Sequence, residues 1–182
     1  MTEVTLEQIA GYCTELGLMN KINAERRLVE TIIPTNHRTY HAYLKVDAPR
    51  DVMQVRIWGV VIAPPERRAV MARVVAHVNY NLLLKGFVFD WADGEVAYDL
   101  PVPFRGTGIS AVQLDQCLQA AVWTLNTHTP TLFRAAWGSA SAEELLGLPM
   151  PDPADALTRA LTDAAGQVPP VAEGGSAGTG HP

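Results

Sequence analysis

VVAHVNYNLLLKGFVFDWADGEVAYDLPVPFRGTGISAVQL, residues 74–114, carries the signals that decide the fold. A helical apolar pattern runs out towards Gly86. Phe87–Trp91 and Glu95–Val102 then read as two strands about Asp93-Gly94, and an Asp-Gly pair between such runs is a strong hairpin signal. Pro101 and Pro103 cannot donate to a ladder, which places the end of the second strand at a sheet edge. Ser110 and Gln113 have capping-box spacing and open another helix. Helix, antiparallel pair, helix is an α+β order.

Working outward, Ala63-Pro64-Pro65-Glu66 opens the preceding helix, with proline at an early position where its missing N–H is not needed. That helix is expected over Pro65–Leu84, stopped by Gly86. Val70, Val74 and Val78 form one line along it, with Met71 and Val75 beside them. Upstream, Val52–Ile62 and Arg38–Val46 alternate with a period of two, as half-buried strands do. Ile22 to Ile33 is rich in β-branched residues, closes at Pro34 and reads as one more strand, so that three strands form a meander. Thr5 and Gln8 cap a first helix carrying Leu6, Ile9, Cys13 and Leu16, and Gly17 ends it. Downstream, Leu114, Leu118, Ala121, Val122 and Leu125 face inward from a helix that Pro130 interrupts or kinks. The expected architecture is α-β-β-β-α-β-β-α: an antiparallel five-stranded sheet packed by helices.

Composition bounds the rest. A body of ~150 residues buries roughly 68–70% of its unfolded surface and needs no disulfide staples. Cys13 and Cys117 both fall in expected helices, where reduced, packed thiols are the ordinary state. Net charge is −5, with no basic stripe for direct nucleic-acid binding. No apolar run nears the ~18 residues of a membrane span, and MTEVTLEQIAGY has no basic or apolar signal region, so the expected location is the cytoplasm. The chain divides into residues 1–148 as the α+β domain, 149–167 as a linker and short helix, and a Gly/Pro/Ala/Ser-rich tail, 168–182, expected to be disordered.

The central stretch resembles the YbjN domain family. The resemblance rests on Asn79 and Asn81 at the helix end, on Phe87 or Phe89, Asp90, Asp93, Gly94, Glu95 and Val96 in the hairpin, and on Gly106 and Gly108 before the next helix. It spans roughly residues 5–148, and the extension after Leu148 has no counterpart in it. It implies a fold similar to that of type III secretion chaperones, which are small dimeric α+β proteins that bind other proteins and catalyse nothing. The domain is also often labelled a sensory-transduction regulator.

The apparent chemical motifs are weak beside that. Gly106–Ala111 satisfies G-x-G-x-x-A, but a dinucleotide site needs a parallel βαβ unit, and the strand before this turn belongs to a hairpin. Asp90, Asp93 and Glu95 lack Ca²⁺-loop spacing, and turn chemistry accounts for Asp93-Gly94. His37 and His41 share one side of a strand without a third ligand. No catalytic, cofactor or metal residues are assigned.

What remains is surface. If Tyr40, Ala42, Leu44 and Val46, with Met53, Val55, Ile57 and Val61, face the helices, then His41, Tyr43, Arg56 and Trp58 face away. Aromatics with arginine favour interface centres, so these four are the candidate protein-binding residues. Val70, Met71, Val74, Val75 and Val78 form a stripe broad enough to meet both the sheet and a second copy, and are the candidate dimer interface. The expected function is a dimeric, non-catalytic, chaperone-like module holding a client protein, with a basic, nucleic-acid-binding protein as the client suggested by the acidic balance. Two alternatives stand beside it. One is a small-ligand or nucleotide-responsive regulator or enzyme using the Gly106–Ser110 turn. The other is an extension, Pro151–Ala165, that docks on the open sheet face.

Overall fold

The structure is a computed structural model that describes residues 4–36, 38–84, 86–104 and 108–148. The chain separates into two units, Met1–Leu148 and Pro149–Pro182. The second lies outside the described residues, and so do the expected linker, C-terminal helix and tail.

The first unit is α+β, with an open antiparallel sheet of six strands. In chain order the main elements are α1 (Leu6–Glu15), β1 (Met19–Asn23), β2 (Leu28–Pro34), β3 (Thr39–Asp47), β4 (Val52–Ile62), α2 (Arg68–Asn81), β5 (Phe87–Phe89), β6 (Glu95–Pro103), α3 (Ala111–Trp137) and α4 (Ala142–Leu146). The sheet order is β1-β2-β3-β4-β6-β5. Helix α3 packs on β4 and β6, with α1 and α2 on either side of it.

Five strands were expected and six are present, because Ile22–Ile33 is not one strand. The chain reverses over residues 24–27, and β1 pairs with β2 from Met19↔Ile32 to Asn23↔Leu28. No glycine or proline marks the reversal. Asn23 Oδ1 accepts from the Arg26 N–H at 3.1 Å, and Arg27 takes the left-handed conformation at φ 55°. An Asx-type side-chain bond replaces the usual turn residues.

The helix boundaries also differ. A short 3-10 turn, Pro65–Arg67, precedes α2, and α2 ends at Asn81 rather than near Leu84. Gly86 therefore does not stop the helix. It lies where a Cβ would come within 2.7 Å of the Tyr98 ring, so it is a close-approach glycine beside β6. Pro130 does not interrupt α3, which runs through it unbroken to Trp137. The capping pairs Ser110–Gln113 and Ser141–Glu144 both form reciprocal boxes.

The core lies between the helices and one sheet face. Ala42, Leu44, Met53, Val55, Ile57, Tyr98 and Leu114 are fully buried there. Met71, Val74, Val75 and Val78 belong to the same core, and Val70 packs half-buried against it. The α2 stripe is thus committed inside one chain. Its side chains are not available to a second copy as a broad outward face, because the stripe meets the sheet on one side and α3 on the other. The outward side of α2 carries Arg73 and Tyr80 instead.

Two irregularities shape the sheet. In β4 the register against β6 slips between Ile57 and Val61, with Gly59 in the left-handed region at φ 63°. In the β5–β6 hairpin Gly94 has φ 84°, and a Cβ there would strike the Ala63 carbonyl. Pairing of β5 ends at Tyr98, so the outer edge of Leu100–Pro103 has no strand beside it among the described residues. That is where Pro101 and Pro103 are tolerated.

Candidate functional site

The sheet face away from the helices is the first site to consider. Strand alternation sends every second side chain there, and the register aligns them: His41 opposes Trp58 and Tyr43 opposes Arg56 between β3 and β4. The Trp58 ring centroid lies 5.6 Å from Tyr43 and 5.9 Å from His41, in tilted contacts. Trp58 keeps 36% of its surface exposed even so. The four candidate residues from β3 and β4 therefore form one contiguous patch.

Asp99, which the sequence did not single out, and Glu95, read there only as a hairpin residue, complete it. Arg56 Nη1 donates to Asp99 Oδ2 at 3.1 Å, and its other terminal nitrogen lies 3.9 Å from Glu95. Both acids come from β6. Glu95 also accepts the Gly59 N–H at 3.0 Å, which ties the bulge beside Trp58 to the same carboxylate. A shallow depression of about 670 Å³ runs over this face, with Arg26, Leu28 and Lys45 among its walls. Arg26 and Leu28 arrive from the unrecognised β1–β2 hairpin, so only a correct strand count would have placed them here.

The electrostatics are those of a partly desolvated ionic cluster. Burial pushes the Asp99 carboxyl above its ordinary range, Arg56 and then Gln54 pull it back, and Glu95 pushes it up again. Asp99 Oδ1 is buried without a hydrogen-bond partner among the described residues. Burial likewise raises the Tyr43 phenol, against the pull of Arg56. The patch has an ordered arginine held by two carboxylates, with tilted amphipathic rings beside it. Aromatic rings beside an arginine are groups able to contact another macromolecule.

The other motifs are occupied structurally. Asp90 Oδ1 accepts from the Ala92 N–H and Asp93 Oδ1 from the Glu95 N–H, each at 2.8 Å, so these acids build the hairpin turn. Among the described residues no three His, Cys, Asp or Glu side chains gather as metal ligands. Gly106 and His37 lie outside the described residues. Gly108 and Ser110 lead from an antiparallel strand into α3, without the parallel βαβ setting that a dinucleotide turn requires. Cys13 is fully buried, and burial pushes its thiol up to about 11, so it is protonated and unreactive at neutral pH. No described helix is long and apolar enough to cross a membrane.

The hairpin residues that carried the family resemblance have a structural role. Asn79, near the end of α2, donates to the Phe87 carbonyl at 2.7 Å and accepts from the Phe87 N–H at 3.1 Å. Its amide thus locks the helix to β5. No curated protein matches this chain. The model of the YbjN family, described as "Putative bacterial sensory transduction regulator", matches residues 5–134. With that match extending from α1 into α3, the chain belongs to the YbjN family.

Proposed function

We propose that this protein is a non-catalytic, chaperone-like module of a regulatory pathway that works as a homodimer and holds a client protein on its open sheet face. The observation that supports this most is the cluster of His41, Tyr43, Arg56 and Trp58 at the centre of a sheet whose other face is covered by helices. Tryptophan, tyrosine and arginine dominate binding energy where they cluster, and truncation of one such residue typically costs about 2 kcal/mol or more. The one-sided helix cover is what a fold like that of type III secretion chaperones would need. The overall charge of −5 favours long-range attraction of a basic client. On the face itself Arg56 with Asp99 and Glu95 presents both signs, which suits fixing orientation more than selecting one sign.

Site-specific photocrosslinking in cells tests the reading. A benzophenone side chain at position 43 is expected to trap a defined client, while the same group at Gln119 on the helix side traps none. The trapped client, purified, should then bind the Trp58→Ala and Arg56→Ala variants at least tenfold more weakly by calorimetry, a loss of about 1.4 kcal/mol. Equal crosslinking at both positions, or unchanged affinity in both variants, would remove the open face from the function.

A further inference from the structure

A second cavity lies on the other side of the sheet, where β3 begins beneath the C-terminal half of α3. It measures about 640 Å³ and is lined by Arg38, Tyr40, Asn126, Thr129, Pro130 and Phe133. That volume lies in the range of small-molecule sites, and its mix of apolar walls with a few polar groups is typical of them.

The polar groups are unusual for helix packing. Thr129 is only 8% exposed, and its Oγ1 is buried with no hydrogen-bond partner among the described residues. A buried helical threonine ordinarily donates to the carbonyl four residues back. Thr124 and Thr127, on the same helix, do so at 2.8 Å. Thr129 does not; the residue lines the cavity, but its hydroxyl oxygen is itself buried. One residue on, Pro130 has no N–H to give to the Asn126 carbonyl, so a backbone acceptor is freed at the same level. The Tyr40 hydroxyl donates to Asn126 Oδ1 at 2.9 Å and fixes that amide, leaving its nitrogen without a partner among the described residues.

Arg38 supplies the charge. It has no carboxylate partner among the described residues. Its guanidinium lies 5.0 Å from the centroid of the Tyr40 ring and 5.8 Å from that of Phe133, and one nitrogen donates to the Val60 carbonyl at 3.0 Å. It is therefore positioned by rings and backbone, with donors left over, and arginine's planar fork matches a carboxylate. We infer that this cavity binds a small amphipathic carboxylic acid, its carboxylate on Arg38 and its apolar body between Tyr40, Pro130 and Phe133. This site is separate from the open face, and either could fail without the other.

Calorimetry and saturation-transfer NMR on the full chain test this with phenylacetate, 4-phenylbutyrate and octanoate, each against its neutral amide. At least one acid is expected to bind saturably, and its amide at least tenfold more weakly. Arg38→Gln should weaken acid binding at least tenfold. Thr129→Val, nearly isosteric and at a hydroxyl buried away from the cavity, should leave acid binding unchanged and the melting temperature equal or higher, because it removes an unsatisfied buried hydroxyl. That pairing separates loss of the Arg38 contact from a general disturbance of the cavity. No saturable binding of any acid up to ~5 mM, equal binding of acid and amide, or undiminished binding in Arg38→Gln would overturn the inference.

Discussion

Arg56 and Asp99 face each other between β4 and β6 with their side chains about three-quarters or more buried. The carboxyl of Asp99 is raised above its ordinary value of 3.8, chiefly by burial, with Arg56 the main opposing influence. A carboxyl whose folded pKa is raised binds its proton more tightly in the folded chain. Its contribution to stability is therefore greatest below the unfolded pKa and declines as pH rises through the folded one. Removing the arginine widens that window, since the charged form then has no cation beside it. Arg56→Ala is expected to cost about 1–2 kcal/mol at pH 7, after allowance for partial exposure. The loss should shrink towards pH 4 as Asp99 takes up its proton. Urea titrations of both proteins at the two pH values measure this, and a loss independent of pH would mean that the guanidinium acts through packing alone. Arg56 was legible in the sequence as an outward residue of β4, because a period of two fixes the face. Its two acids were not, because their position depends on the register of β6, which slips at the Gly59 bulge.

At the scale of elements, β5 is the weakest strand: three residues, at the sheet edge, paired on one side only. Asn79 compensates by giving Phe87 a partner for both its N–H and its carbonyl, as a neighbouring strand would. Asn79→Ala removes both bonds and is expected to cost about 2 kcal/mol. Amide exchange at Phe87 should accelerate well beyond that at Val55 in the central strand β4. Matching changes at both sites would mean global unfolding and no local role for Asn79. The family resemblance pointed to Asn79 but not to its mechanism, since a polar residue near a helix end is ordinarily read as a cap. The other elements show the same division. Alternation made β3 and β4 legible, and serine with Gln three residues on marked the start of α3. The β1–β2 hairpin was missed because its turn is made by an Asn23 side-chain bond and a left-handed Arg27, without glycine or proline. Pro130 was expected to interrupt or kink the helix because propensity disfavours it, yet α3 is unbroken and packs along β4, β6, α1 and α2, and those contacts carry the helix across it.

For the whole molecule, one arrangement governs what is free to act: every described helix that packs on the sheet lies on a single face. The core takes up the inward stripe of α2, including Met71 and Val74, which sequence periodicity could assign to an apolar face but not to a particular neighbour. A homodimer built on α2 must therefore use the outward side, where Tyr80, with Leu83 just past the helix end, is among the most exposed large hydrophobic residues described. Two-fold packing of that side would bury them and leave both open sheet faces free for clients. Light scattering at ~10 µM should then give twice the chain mass, a value that depends on concentration by mass action. Replacing both Tyr80 and Leu83 by glutamate should give a monomer with unchanged circular dichroism, because neither side chain belongs to the core. A wild-type chain that stays monomeric at that concentration would remove the dimer from the proposal. A double variant that stays dimeric would move the interface off α2, towards the exposed Trp123 and Trp137 on the outer side of α3.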